Sequence, residues 1–327
     1  MKVGMTYDLK DEYIQEGYGM EEIAELDRID TVEGIESALT KLGFNVDRIG
    51  RFESLQKRLS KGDRWDIVFN IAEGIKGTCR ESHVPFLLEL HNIPYTFSDS
   101  LTLAIALNKA ITKRIVRDSG VPTASFFEVK DIDDINSIND IGLSFPMFVK
   151  PVSEGSGKGI SALSKIESED ELKKACKNIL ENFKQPALVE TYLPGREFTV
   201  GLLGTGKKTK VIGVMEVNFL SDQAKAETYS YLTKSNYKEM VEYSLMEGDI
   251  AEACEEVSIK AWNVLNCRDA GRIDLRLSSE GIPHFIEINP LAGLNPSDSD
   301  LPILARLAGI SFEQLIESIM KSAMERM

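Results

Sequence analysis

Gly271-Arg272-Ile273-Asp274-Leu275-Arg276, followed by Phe285-Ile286-Glu287-Ile288-Asn289, is the stretch on which fold and chemistry both turn. Each run alternates polar and apolar residues, the period-2 pattern of half-buried strands. Ser278-Ser279-Glu280-Gly281 lies between them and reads as a turn, so a hairpin is predicted. With Glu280-Gly281 as a two-residue turn, Asp274 faces Glu287 and Arg272 faces Asn289. Carboxylates directly opposite each other repel unless a cation lies between them. Mg²⁺ suits the gap, because it takes one or two carboxylates and completes its octahedron with water and phosphate oxygens. A register shifted by one pair would instead set Arg272 against Glu287 as a salt bridge on a wet sheet face. The hairpin alone does not choose between the two.

The chain has 327 residues, long enough to bury a large core and to form more than one domain. A hydrophobic content of 43% with 28% charged residues is that of a soluble globular protein. Neither a signal-peptide core nor an apolar run of membrane-spanning length is seen. Cys79, Cys176, Cys254 and Cys267 lack C-x-x-C spacing, which argues against a disulfide framework or structural zinc. A net charge of −14 argues against nucleic-acid or anionic-membrane partners. The expectation is a cytoplasmic α/β protein.

In the first hundred residues, strands at Lys2–Tyr7, Phe44–Ile49, Asp66–Ile71 and Ile93–Phe97 alternate with helices at Thr31–Leu42 and Glu81–His91. That alternation predicts a parallel, doubly wound sheet, with ligands beyond the carboxyl ends of its strands. No G-x-G-x-x-G follows the first strand, so a dinucleotide site is excluded there. The Asp8–Arg28 segment is rich in acids and by default a solvated loop; its length also admits a binding loop for a cationic amine. A single helix is expected from the Asp99 cap to about Arg117, with Lys109 and Lys113 as solvent-exposed lysines by default.

Phe145-Pro146-Met147-Phe148-Val149-Lys150 reads as a strand ending in a lysine, and Glu154-Gly155-Ser156-Gly157-Lys158-Gly159 follows. Glycines at 155, 157 and 159 expose backbone N–H groups that can wrap an anion, with Ser156 and Lys158 as further donors. It is not a P-loop, since Gly159 follows the lysine and a strand, Ile160–Leu163, is expected next. A buried Lys150 is costly without an anion, which favours a phosphate over a plain hairpin tip. Ser168–Phe183 reads as an amphipathic helix and Ala187–Thr191 as a strand. Edge backbone groups from Glu190 to Leu193 could recognise a purine, with Glu197 on a ribose hydroxyl; a Pro-Gly turn between strands explains the stretch equally well.

Taken in order, Phe-Pro-x-x-Val-Lys-Pro with Glu-Gly-Ser, Glu-x-x-Leu-x-Gly-x-Glu-Phe-Thr-Val, and Gly-Arg-Ile-Asp with Glu-x-Asn-Pro resemble the ATP-grasp superfamily, most closely the D-alanine–D-alanine ligase family. The resemblance runs from about Ile93 to the C-terminus. It implies an ATP-grasp fold, α/β (α+β), with an N-terminal doubly wound parallel-sheet domain, divided at 1–98, 99–190 and 191–327. It also implies an ATP-dependent carboxylate–amine ligase that joins two amino acids through an acyl phosphate, with ATP and one or two Mg²⁺ (Mn²⁺ as a substitute). Carried over residue by residue, Lys109 and Lys150 match phosphate-contacting lysines, Glu190, Leu193 and Glu197 match the adenosine site, and Glu154, Gly155 and Gly157 are read with them as nucleotide-binding. Asp274, Glu287 and Asn289 match the metal ligands. Arg272 matches the arginine that stabilises the tetrahedral intermediate, Ser156 the serine beside the first substrate, and Lys234 the lysine of a closing loop. Homodimers are common in that family.

Four departures touch the substrate subsites rather than the nucleotide. The Gly-Gly-x-Ser-x-Glu signature after the first strand is absent, Ser235 follows Lys234 where a tyrosine is usual, and Thr191 stands where another lysine is common. Gly293–Asp300 carries an extra residue and added acid. They leave open another amino-acid or peptide pair and, from a different class, a non-catalytic nucleotide-binding protein.

Overall fold

The computed structural model describes residues 1–135, 142–219 and 241–327, with Ala162 and Phe219 in backbone only. Strands β1 (Lys2–Thr6), β2 (Asn45–Gly50) and β3 (Ile67–Asn70) form a parallel sheet in the order β2-β1-β3. All four β3 residues are buried, as in a parallel sheet covered on both faces. Helix α2 (Ile29–Lys41) turns Val32, Ile35 and Leu39 onto one face. Helices α3 (Phe52–Ser60) and α4 (His83–Leu90) cover the other with Leu55, Leu59, Val84 and Leu88. The predicted double winding is therefore present. The expected fourth strand, Ile93–Phe97, is reduced to a single bridge between Tyr95 and Val68. Asn92 and Phe97 bracket it in the left-handed region (φ 54° and 71°), and Pro94 has no N–H to donate. Helix α3 and the short α1 (Lys10–Gln15) were not anticipated, because each carries few apolar residues in a polar stretch.

Helices α5 (Ser100–Leu107) and α6 (Lys109–Asp118) replace the single helix expected over this region. The break is Asn108, in extended backbone (φ −92°, ψ 96°), whose side chain accepts from the Ile111 N–H at 3.0 Å and so begins a second helix. Lys109 thereby becomes the first residue of α6. Strands β4 (Phe126–Val129), β5 (Met147–Pro151), β6 (Lys165–Ile166) and β7 (Ala187–Thr191) form an antiparallel sheet in the order β4-β7-β5-β6. No strand forms at Ile160–Leu163: a short 3-10 turn capped by Ser161 takes its place and pairing resumes at Lys165. The predicted helix there is α7 (Glu169–Asn178), capped by Ser168.

Strands β8 (Glu197–Leu203), β9 (Lys210–Phe219), β10 (Val241–Met246), β11 (Ala270–Leu277) and β12 (Pro283–Asn289) make a third sheet, ordered β10-β9-β8-β11-β12. Helix α8 (Asp249–Val264) packs Trp262, Ala261 and Cys254 on it. Asp274 pairs with Glu287 and Arg272 with Asn289, the register in which the carboxylates oppose. The route to that register differs from the expected two-residue turn. Leu277 pairs with Pro283 across a longer loop, closed by Ser278 N–H to Ile282 O (2.9 Å) and Gly281 N–H to Ser278 O (3.1 Å). A bulge then admits Ile286 as an extra residue and brings Glu287 back opposite Asp274.

The first sheet is fastened to the third by Asp269, fully buried just before β11. Its Oδ2 accepts from the Phe97 N–H at 2.7 Å; its Oδ1 accepts from Ser322 Oγ at 2.8 Å and pairs with Arg326. Ser322 lies on α10 (Phe312–Met324), which packs on α2. Asp269→Ala would leave Arg326 and the Phe97 amide without their anion, a loss of about 3 kcal/mol or more. Urea unfolding followed by Trp65 and Trp262, one in each core, measures it; an unchanged midpoint would show that the fastening is dispensable.

Candidate active site

A cleft of about 790 Å³ is walled by the ends of β5, β7, β8, β11 and β12, by loop 154–157, and by residues 24–31 of the first unit. Strand alternation decides which side chains enter it: Arg272 and Asp274 are two apart on β11, as are Glu287 and Asn289 on β12, so all four share one face. Arg272 Nη1 donates to both Asp274 oxygens at 2.7 and 2.8 Å; Thr199 Oγ1 and Asn289 Nδ2 add hydrogen bonds at 2.9 and 3.1 Å. Lys109 Nζ lies 3.2 Å from Glu287 Oε2. Burial, with Glu287 and Asp300 nearby, pushes Asp274 up to about 7 despite Arg272. Burial works the same way on Glu287, but Lys109, Lys150 and Arg272 outweigh it and hold Glu287 at about 2.

These oxygens suit a divalent ion that arrives with its own ligands. Among the described residues no three His, Cys, Asp or Glu side chains converge as a self-sufficient metal cage. Two opposed carboxylates, paired here with Arg272 and Lys109, and the amide of Asn289, which donates to Asp274, could instead take Mg²⁺ already chelated by phosphates.

Lys109 and Lys113 are buried, not solvent-exposed, because the break at Asn108 turns the start of α6 into the cleft. Lys109 Nζ also donates to the Glu154 carbonyl at 2.5 Å. Lys150 is buried as well, yet its anion is a protein carboxylate: Glu190 Oε2 lies 2.8 Å away, and Glu190 Oε1 lies 2.5 Å from Lys113 Nζ. Burial of Lys150 therefore does not by itself call for a phosphate, which removes that support for the anion-loop expectation. Burial opposes ionisation of Glu190, but the two lysines prevail and hold it at about 2.

Glu190 consequently faces lysines with its side chain, and β7 is an interior strand rather than an edge. The Thr191 and Tyr192 amides are taken by the carbonyls of Ser125 and Pro146. Leu193 and Glu197 line the cleft, with Arg276 Nη1 3.6 Å from Glu197. Ser156, in the left-handed region (φ 51°), and Gly157 also line it. The Gly155 N–H, expected to hold an anion, already donates to Glu25 Oε1 at 2.5 Å. Glu25 in turn pairs with buried Arg80 at 2.7 Å, and Arg80 donates to the Ser153 carbonyl at 3.0 Å. Lys234 lies outside the described residues.

Several cleft residues carried no signal of their own in the sequence. Behind the cleft wall, Lys113 had only its spacing from Lys109. Glu25, Asp27 and Arg28 belong to the acidic segment, whose Asp11, Glu12, Glu16, Glu21 and Glu22 are exposed as expected, but which is anchored by a small core of Tyr13, Ile23 and Leu26 and by Tyr13 Oη donating to Asp8 at 2.6 Å. Glu73 and Glu81 line the wall beneath β3, both raised by burial and by neighbouring carboxylates, Glu81 to about 7.

Lys113→Met leaves Glu190 with one lysine, and a loss of stability of about 3 kcal/mol is expected at neutral pH. Glu190 is more acidic folded than unfolded, so its contribution is full above its unfolded value of 4.5 and is lost as pH falls through about 2. The difference from wild type should thus shrink on acidification, measured by urea unfolding at neutral pH and near pH 3; equal stability at neutral pH would remove Lys113 from this network.

Residues 115–321 match the family model described as D-ala D-ala ligase C-terminus. An uncharacterised protein of Sinorhizobium fredii is 35% identical over 262 residues, covering 80% of this chain and 75% of that one. The D-alanine–D-alanine ligase of Thermotoga maritima is 31% identical over 293 residues, covering 89% and 90%. In fold, the crystal structure of a D-alanine–D-alanine ligase from Bacillus anthracis complexed with ATP superposes with a TM-score of 0.78 at 22% identity, covering 100% of this chain and 98% of that one. With cleft, fold and sequence in agreement, the chain belongs to the D-alanine–D-alanine ligase family, the ATP-grasp enzymes that form carbon–nitrogen bonds at the expense of ATP.

Proposed function

We propose that this enzyme phosphorylates the carboxylate of one amino acid with ATP and then joins it to the amine of a second amino acid or a peptide, releasing ADP and phosphate. D-Alanine, the substrate named for its Thermotoga relative, is the first donor to try. The observation that carries the proposal is the facing of Asp274 and Glu287 across β11 and β12, with Lys109, Lys150 and Arg272 converging on them.

Asp274, Glu287 and Asn289 would hold Mg²⁺, which on binding with ATP supplies charge neutralisation at the transferring phosphoryl group. Lys109 and Lys150 are pre-aimed cations for the nucleotide's phosphates, held in place by Glu287 and Glu190, so little reorganisation is needed when charge develops. Arg272 would stabilise the oxyanion formed when the amine attacks. Ser156 would sit beside the donor, and Lys234 would be a further catalytic residue. Leu193, Glu197 and the backbone after Glu190 would take the adenosine, while Glu154, Gly155 and Gly157 shape the loop over the phosphates. The division at 1–98, 99–190 and 191–327, a homodimer and a cytoplasmic location complete the proposal. The three sheets, contained in successive stretches of chain, support the division; no described helix is long and apolar enough to cross a membrane.

Glu287→Ala should lower amino-acid-dependent ADP release by about a hundredfold or more, with ATP binding weakened in Mg²⁺ but little changed without it. Purified protein, Mg²⁺-ATP and a panel of D- and L-amino acids scored for ADP and product mass is the measurement. Turnover by Glu287→Ala near that of wild type would sink the assignment.

A further inference from the structure

The end of the cleft next to Arg272 is built differently from a site for a free amino acid. Arg272 Nη1 lies 3.2 Å from Asp300 Oδ2, the first residue of α9 (Asp300–Leu307), as well as 2.7 Å from Asp274. Tyr243 Oη donates to the other Asp300 oxygen at 3.2 Å, so this carboxylate is held from two sides. Arg28, at the same end, pairs with Asp298 at 2.6 Å and with Asp30 at 2.9 Å. The stretch 293–300 is itself fixed on α2, where Asn295 Nδ2 donates to Thr31 Oγ1 at 3.0 Å and a side chain at Gly34 would strike Pro296 Cγ at 2.9 Å. Lys109 and Arg276 are likewise matched, by Glu287 and Glu197, while Lys150 shares Glu190 with Lys113. A nucleotide brings a divalent cation to offset its charge. A free amino acid brings a carboxylate and no such ion.

We infer that the acceptor is an amine whose neighbouring carboxylate is absent or masked, as in an amino-acid amide or the N-terminal residue of a peptide, because Asp300 fixes a carboxylate beside Arg272, the residue that would face the reacting carbon. The inference rests on the ligase mechanism proposed above. The step balances without further reactants. The amine's lone pair makes the C–N bond at the acyl carbon, the C–O bond to phosphorus-bound oxygen breaks with its electrons leaving on phosphate, and one amine proton is released. A free α-carboxylate at that place would meet Asp300 head-on, and like charges brought together at a binding site are strongly disfavoured.

The test is equilibrium binding to the full-length protein in Mg²⁺-ADP, titrated with alaninamide and with alanine, each as both enantiomers. The better amide should bind at least about tenfold more tightly than the better free amino acid. Asp300→Asn should bring the two within about threefold, and Tyr243→Phe, which releases one side of Asp300, should move the ratio the same way if the first variant does not fold. Equal or tighter binding of alanine, binding of neither, or a ratio unmoved by the variants would overturn the inference. Ligation is scored separately by ADP release with the same compounds. Its absence beside selective amide binding would count against the ligase mechanism and leave the acceptor subsite standing.

Discussion

Two carboxylates held opposite each other across neighbouring strands set the terms for the rest of the cleft. Asp274 and Glu287 cannot both carry full charge in a buried site without cations, and the chain supplies three from separate elements: Arg272 from β11, Lys109 from the start of α6, and Lys150 from the end of β5. Their separate origins mean that the carboxylate pair is stable only when α6 and the second and third sheets are assembled. The pairing also depends on one bulged residue. Without Ile286 as an extra position, β12 would be out of phase by one residue and Glu287 would leave the cleft face.

Behind that pair lies a second buried charge network, Lys113–Glu190–Lys150, whose members come from α6, β7 and β5. Buried ions are worth keeping only with good geometry on both sides. Here one acid serves two bases, so a positive charge remains over after neutralisation, and Lys150 carries it at the cleft wall. A residue first associated with the nucleotide base, Glu190, is thereby also a support for the cation expected at the phosphates. The two roles are compatible, because a strand can present its backbone at its end and its side chain to one face.

The first unit is more than a lid of unspecific acid. Glu25 closes on Gly155 and Arg80, and Arg28 closes on Asp298, so the acidic segment touches both the glycine loop and the stretch beside Arg272. Two of the four departures from the family pattern fall here, in the segment after the first strand and in residues 293–300. On the proposed function, nucleotide chemistry would fall to β5, β11 and β12, and substrate choice to segment 24–31 with residues 293–300.

Local pattern was enough for the hairpin, for strand Ala187–Thr191, for the Asp99 cap, and for the double winding of the first sheet, since each follows from periodicity or a side chain acting on its near neighbours. Motif order was enough to gather Lys109, Lys150, Arg272, Asp274, Glu287 and Asn289 as a set. The sequence by itself determined the strand faces, because alternation is a property of consecutive residues. Only the tertiary structure decided that Lys113 is buried, that Glu190 rather than a ligand neutralises Lys150, that Glu25 reaches Gly155 and that Asp300 covers Arg272. Those contacts join residues 28 to 130 positions apart, and a charge has no preferred partner until folding has removed the water around it.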